Sequence, residues 1–108
     1  RFAKIGGEMI SLGAIEANIT KLLPDDVEVL STALPDGKKG EKVVLLFAGD
    51  IDEPELKSLI LKSTMPAIMM PASLCKVDEI PKLGTGKSDF GQAKQMALAM
   101  YAGRKPSQ

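Results

Sequence analysis

VEVLSTALPDGKKGEKVVLLFA, residues 27–48, is the stretch that decides the fold of this 108-residue chain. Residues 27–34 and 42–48 are rich in β-branched and aliphatic side chains, which favour extended strands. Between them, residues 35–40 combine proline, aspartate, glycine and lysine, a composition typical of a turn. We therefore predict two antiparallel strands joined by this turn.

The segment before this pair predicts a hairpin followed by a helix. Residues 2–11 place the Gly6-Gly7 pair between two short segments that can pair as strands, which indicates a tight turn with exposed backbone. In residues 12–23 the apolar side chains recur at helical spacing. A serine precedes this helix as a suitable N-cap, and Pro24 ends it.

The segment after the pair predicts a second helix, a connector and a short strand. Asp52 and Glu55 have capping-box spacing at the start of residues 52–62, whose apolar side chains share one side of a helix. Residues 67–70 lie between two prolines and are expected to run extended as a connector. Residues 73–77 have the composition of another short strand.

The end of the chain returns to helical spacing. Apolar residues recur at that spacing from Phe90 to Met100, and Ser88 or Asp89 is a suitable cap. Strands and helices therefore do not alternate regularly, which is typical of an α+β domain rather than a doubly wound parallel sheet. We predict an α+β fold in which a small sheet of short antiparallel strands is flanked by about three helices.

Composition excludes several classes of function. The 14 Lys and Arg residues balance 14 Asp and Glu residues, so the chain as a whole has no electrostatic reason to bind nucleic acid. Its apolar runs are far shorter than the roughly 20 residues of a membrane-spanning helix. Without histidine there is no Ser-His or Cys-His pair, and the single Cys75 is expected in the core, so we predict no metal site. No segment resembles a secretion signal, which favours the cytoplasm.

Gly86, Lys87 and Ser88 have the identities that end a phosphate-binding P-loop. That motif requires an earlier glycine where this chain has Pro81, which lacks the backbone N–H that the loop uses. Two interpretations then remain open: a glycine-rich turn with solvated lysines, or a mobile loop that brings Lys82 and Lys87 to an anion. From these residues alone the solvated turn is favoured.

Two segments resemble motifs of the acyl-adenylate-forming superfamily, which includes acyl-CoA synthetases, peptide synthetase adenylation domains and luciferases. PKLGTGKSDF, residues 81–90, resembles the last motif of that superfamily. RFAKIGGEMISLGAIE, residues 1–16, resembles the motif that opens its C-terminal domain. The resemblance covers essentially the whole chain. It implies that residues 1–108 form the mobile C-terminal domain of such an enzyme, preceded by a large N-terminal adenylation domain that they lack.

The same resemblance implies roles for individual residues. The N-terminal domain would bind ATP with Mg²⁺ and a fatty acid, while Lys87 stabilises the transition state that yields the acyl-adenylate. In a second pose the turn of Gly6, Gly7 and Glu8 would lie beside the channel for the acceptor thiol. Glu16 is expected to fix its helix rather than to act in the chemistry. Expected contacts of the acceptor or the nucleotide are Lys4, Lys82 and Gly86.

Within the superfamily the motifs look most like the synthetase half of bacterial bifunctional enzymes that couple acyl-acyl-carrier-protein synthesis to reacylation of 2-acylglycerophosphoethanolamine. Many relatives carry an arginine soon after the catalytic lysine, whereas Ser88, Asp89 and Phe90 follow Lys87 here. The acceptor is expected to be the pantetheine thiol of acyl carrier protein or of coenzyme A. We expect the cytoplasmic face, with inner-membrane association of the full-length protein left open, and no activity from the chain alone.

A second hypothesis is a non-catalytic module that docks a carrier protein. Arg1, Lys4, Lys38 and Lys39 would supply its positive charge. Carrier surfaces are acidic, so such docking would weaken as salt is added.

Overall fold

A computed structural model of the chain describes residues 1–37 and 40–102. Within those residues a 5-stranded sheet is flanked by three α-helices, which confirms the predicted α+β class. The elements are β1 (Phe2–Ile5), β2 (Glu8–Ser11), α1 (Leu12–Thr20), β3 (Glu28–Asp36), β4 (Gly40–Ala48), α2 (Glu53–Lys62), β5 (Ser73–Lys76) and α3 (Phe90–Ala102).

The predicted strand pair β3–β4 is the longest ladder of the sheet. The two strands are antiparallel over 9 residues each, from Glu28 opposite Ala48 to Asp36 opposite Gly40. Both are longer than predicted, because Pro35 is accommodated at the outer edge of β3, where its missing N–H breaks no ladder bond. The hairpin of β1 and β2, also as predicted, pairs with β4 at the Gly40 end.

Strand β5 lies where the sequence predicts a strand but pairs in parallel. Its register runs from Val44 opposite Ser73 to Phe47 opposite Lys76. The chain leaves β4, crosses through α2 and returns as β5, and a helical crossover of this kind joins parallel neighbours. The direction of β5 therefore depends on the path of α2 rather than on its own composition.

Strand β4 separates two hydrophobic cores. Residues 43–48 are all buried, and successive side chains point to opposite faces. Val43, Leu45 and Phe47 pack with residues of α1 and α2, whereas the alternate residues pack with α3. Cys75 is 2% exposed within the second core, which confirms the expectation that it is a core residue.

All three helices begin at a side-chain cap. Each capping oxygen accepts a backbone N–H: Ser11 Oγ from Ala14 at 3.1 Å, Asp52 Oδ1 from Glu55 at 2.9 Å and Asp89 Oδ1 from Gln92 at 3.0 Å. These caps match the predicted starts. Helix α1 ends at Thr20, earlier than predicted, because the following residues form tight turns, with Leu22 N donating to Ile19 O at 2.9 Å.

The prediction of an extended connector at residues 67–70 is wrong. Residues Ala67–Met69 form a 3₁₀ turn, in which Met69 N donates to Pro66 O at 3.0 Å. Proline restricts the residue before it, so the two prolines dictate extended backbone only at the positions that they follow. Met70, which precedes Pro71, is indeed extended, with φ −74° and ψ 131°.

Gly49 makes a close backbone approach just after β4. Its φ is +128°, and a Cβ there would lie 2.6 Å from the carbonyl oxygen of Asp26. Only glycine fits this bend without movement of the backbone. The bend starts the path from β4 to α2 and so helps to set the parallel crossover.

Candidate functional site

The Gly6-Gly7 turn joins β1 to β2 in two residues, since Ile5 pairs with Glu8. Both glycines have positive φ, +57° and +88°, as the tight two-residue hairpin turn requires. A Cβ at either position would meet no atom of this chain within 4 Å. The turn is therefore bare and exposed, and glycine is required here by backbone conformation rather than by packing within the chain.

Glu8 and Lys4 flank this turn on β2 and β1, and both are exposed. The backbone N–H of Lys4 donates to Glu41 Oε1 at 2.8 Å, which ties the hairpin to β4. A groove of about 450 Å³ opens beside Gly6, with Ile68 of the 3₁₀ turn on its other side. The structure confirms the predicted hairpin turn and places Lys4, Gly6, Gly7 and Glu8 at one end of the molecule.

Lys87 lies on a small hairpin that connects β5 to α3. Lys82 and Ser88 form an antiparallel bridge, and Leu83 N donates to Lys87 O at 2.7 Å. Gly86 N donates to Leu83 O at 2.9 Å, and its φ of +91° completes the turn with a glycine bulge. Lys87 itself is exposed.

The backbone of this hairpin is not arranged as a P-loop. The N–H groups of Leu83 and Gly86 are donated within the hairpin, so they do not point at a common anion. Gly84, unlike Gly86, has no positive φ, so only one of the two glycines is conformationally required. The hairpin instead presents the side chain of Lys87 from a defined turn.

The two lysines of the hairpin differ in their surroundings. Lys82 Nζ lies 2.9 Å from Glu28 Oε2, with both side chains about half exposed. Among residues 1–37 and 40–100, whose side chains the structure describes, none forms an ion pair or hydrogen bond with the ammonium of Lys87. Within the described residues, Lys87 is therefore the lysine of the two that is left to meet an external anion, and Lys82 anchors the hairpin to β3.

Arg1 and Glu16 form a network that sequence reasoning missed. Arg1 Nη1 and Nη2 donate to the two carboxylate oxygens of Glu16 at 3.0 and 2.7 Å. The backbone N–H of Ser31 donates to Glu16 Oε2 at 2.6 Å, and its carbonyl accepts from Arg1 Nη2 at 2.9 Å. The pair thus satisfies the outer edge of β3 at Ser31, and Glu16 fixes helix α1 to the sheet as expected.

This network also bears on the docking hypothesis. The side chain of Arg1 is only 27% exposed, and its guanidinium lies 3.9 Å from the centroid of the Phe90 ring. Arg1 is therefore occupied within the chain rather than offered to a partner. Lys38 and Lys39 lie outside the described residues, so of the four expected docking cations Lys4 is the one left on the described surface.

The two turns lie at opposite ends of the β3–β4 ladder. The Gly6-Gly7 turn adjoins Gly40, and the Lys87 hairpin is anchored at Glu28, whose partner is Ala48. With a strand rise of about 3.4 Å per residue, the ladder ends are about 27 Å apart. One catalytic centre of ordinary size cannot contact both turns at the same time.

In the described part of the chain, no group of three histidine, cysteine, aspartate or glutamate side chains is arranged to hold a metal ion. No helix there is long and apolar enough to cross a membrane.

Several curated proteins are similar to this chain in sequence, although no family model matches it. AM-toxin synthetase AMT1 of Alternaria alternata is 30% identical over 108 residues, and peroxisomal trans-cinnamate:CoA ligase of Petunia hybrida is 33% identical over 96 residues. The matches cover 90% and 85% of this chain but only 2% and 16% of those proteins. The chain thus corresponds to a small part of each relative.

Solved structures share the fold. ATP-bound MatB from Rhodopseudomonas palustris superimposes with a TM-score of 0.79 at 23% identity, covering 93% of this chain and 20% of MatB. At this level of identity the likeness shows a common fold.

Proposed function

We propose that the chain is the mobile C-terminal domain of an AMP-forming acid–thiol ligase, with Lys87 as its adenylation lysine. The observation that carries this proposal is the presence of two exposed glycine turns at opposite ends of one ladder. One of them presents Lys87, whose ammonium has no partner among the side chains that the structure describes. The relatives named as a synthetase and a CoA ligase support the same class of reaction.

In the first half-reaction, Lys87 would act on the phosphate that is attacked. A carboxylate oxygen of the acid bonds to the α-phosphorus of ATP while the bond to pyrophosphate breaks. The ammonium of Lys87 would lie against the α-phosphate and the carboxylate, offsetting the negative charge that develops and holding both groups in line. ATP, Mg²⁺ and the acid would be bound mainly by the N-terminal adenylation domain.

In the second half-reaction, the other end of the ladder would serve the acceptor. The pantetheine thiol attacks the acyl carbon, the thioester bond forms and AMP leaves. The bare Gly6-Gly7 turn, with Glu8 beside it, suits a channel wall because it adds no side-chain bulk. The separation of about 27 Å between the ladder ends supports the proposal that the domain rotates between the two steps.

The finer identity follows the resemblance of the two motifs. We propose a fatty acid as the substrate and acyl carrier protein or coenzyme A as the acceptor, with phospholipid reacylation at the cytoplasmic face as the setting. The N-terminal domain is the obligatory partner, so we expect the 108-residue chain alone to form no acyl-adenylate. Docking of a carrier protein without catalysis is the alternative, and the engagement of Arg1 within the chain weakens it.

The test replaces Lys87 in the complete enzyme. Lys87→Ala should slow acyl-adenylate formation by about 100-fold to 1,000-fold, the usual effect of removing one preorganised charge donor. Transfer from supplied acyl-adenylate to the thiol should stay within about twofold of the parent, because Lys87 lies away from the site in that pose.

The matched control is Lys82→Ala, which removes a lysine from the same hairpin. Lys82 is already paired with Glu28 and only helps to hold the hairpin, so Lys82→Ala should slow adenylation far less than Lys87→Ala does. If Lys87→Ala forms acyl-adenylate at the parent rate, Lys87 is not the adenylation lysine. An equal loss of adenylation in Lys82→Ala would contradict the assignment as well.

A further inference from the structure

The Lys87 hairpin is attached to β3 through both of its limbs. The first limb is held by the ion pair between Lys82 and Glu28, whose side chains are both about half exposed. The second limb runs into Phe90, whose ring lies under the guanidinium of Arg1. Arg1 in turn donates to the carbonyl of Ser31 on the same strand. Two anchors on β3 therefore define where the hairpin points.

The second anchor is the better defined of the two. The edge of the Arg1 guanidinium is fixed by both oxygens of Glu16 and by Ser31 O, at 2.7–3.0 Å. Its face is left for the ring of Phe90, at 3.9 Å. A guanidinium can pair through its edge and stack through its face at once, whereas the ammonium of lysine has no such plane.

The connection from Phe90 back to Lys87 is short and held by hydrogen bonds. Asp89 N donates to Pro81 O at 2.9 Å, which closes the base of the hairpin. Asp89 Oδ1 accepts from Gln92 N at 3.0 Å, which fixes the start of α3 against that base. A shift of the Phe90 ring is therefore passed to Lys87 through few free torsions.

We infer that Arg1 is a positioning residue for Lys87, acting through the ring of Phe90. This inference rests on the proposed function, since it concerns the orientation of the adenylation lysine. In this inference Arg1 contacts neither ATP nor the acid. Its effect on the rate is confined to the pose in which Lys87 serves adenylation. The inference also gives a role to Phe90, the last residue of PKLGTGKSDF. Many relatives carry an arginine soon after the catalytic lysine, whereas this chain has Ser88, Asp89 and Phe90 there.

The experiment measures both half-reactions in the complete enzyme for three variants, named by the numbers used here. Phe90→Leu removes the ring, Arg1→Lys removes the planar group but keeps the charge, and Phe90→Trp keeps a ring for the guanidinium. Phe90→Leu and Arg1→Lys should each lower kcat for adenylation about 10-fold, because a small displacement of a catalytic group has effects of this order or larger. KM for ATP and acid, and the rate of transfer, should not change. Phe90→Trp should retain most of the adenylation rate.

The double variant Arg1→Lys, Phe90→Leu tests whether the two residues affect adenylation through their shared contact or independently. If the two residues act through one contact, the double variant should be no slower in adenylation than either single variant. The inference is overturned if Phe90→Leu adenylates like the parent, if Phe90→Trp is as slow as Phe90→Leu, or if both half-reactions fall together.

Lys87→Ala in the same assay separates this inference from the proposed function. If Lys87→Ala slows adenylation and Phe90→Leu does not, the proposed function is supported and the positioning role of Arg1 is refuted. A fully active Lys87→Ala removes both.

Discussion

The two glycine turns at the ends of the β3–β4 ladder differ in what holds them. Among the described residues, the Gly6-Gly7 turn is held by its own two-strand ladder, by the pairing of Ile5 with Gly40 of β4 and by the bond from Lys4 N to Glu41. The Lys87 hairpin has a closed base, an ion pair and a guanidinium stacked on its following residue. At the Gly6-Gly7 turn the conformation of the backbone is the defined feature, whereas in the hairpin the defined feature is the position from which the Lys87 side chain extends. This difference suits the two roles proposed for the turns, a channel wall and a catalytic cation.

The largest stability effect should come from Glu16, which joins Arg1 to β3. Glu16→Ala leaves the Ser31 N–H and the Arg1 guanidinium without their carboxylate, so the free energy of unfolding should fall by about 2–4 kcal/mol. Urea denaturation of the chain measures this. Glu8→Ala, which removes an exposed glutamate from the other turn, should change it by less than about 0.5 kcal/mol. Equal effects in both variants would break the contrast between the two ends.

A smaller effect should distinguish glycines by conformation. Gly7 has a φ of +88°, so Gly7→Ala should cost about 1–2 kcal/mol of unfolding free energy although it meets no neighbour. Gly84→Ala is the matched control, because Gly84 also has open space but no positive φ. It should be neutral or stabilising by about 0.4–1 kcal/mol. If Gly7→Ala unfolds at the same free energy as the parent chain, the positive φ of Gly7 is not what constrains the first turn.

The smallest effect should come from the exposed ion pair. Lys82→Ala should lower the unfolding free energy by less than about 1 kcal/mol, because an exposed pair gains little from its Coulomb energy. That difference should shrink further in 1 M salt, where screening is strong. A loss comparable to that of Glu16→Ala would mean that the first limb, rather than Arg1, is the main anchor of the hairpin.

The elements of the fold were predictable wherever their cause is local. Asp52 caps α2, the Gly6-Gly7 pair turns the first hairpin, and residues 43–48 form a strand, all from their own side chains and immediate neighbours. One error arose where distant contacts decide, since the parallel direction of β5 follows from the crossover of α2. The other has a local cause: proline restricts only the residue before it, so Ala67–Met69 could form a 3₁₀ turn between two prolines.

The candidate site shows the same limit. Lys87 and the Gly6-Gly7 turn stand out in the sequence through the resemblance of their two motifs, because the residues alone favour an ordinary solvated turn at Lys87. The Arg1–Glu16–Ser31 contact does not, because it joins residues far apart in the chain and each has an ordinary local explanation. The one signal for it was Glu16, a charged residue on a helix that must also pack on the sheet.

The most direct test of the account assays the two half-reactions separately in complete enzyme carrying Lys87→Ala or Gly7→Leu. We predict a crossed pattern: Lys87→Ala loses adenylate formation and keeps transfer, while Gly7→Leu impairs transfer more than adenylation. The reason is that the two turns, at opposite ends of a ladder about 27 Å long, would meet the reacting groups at different times. If Lys87→Ala adenylates normally, or if both variants lose both half-reactions to the same extent, the account is wrong.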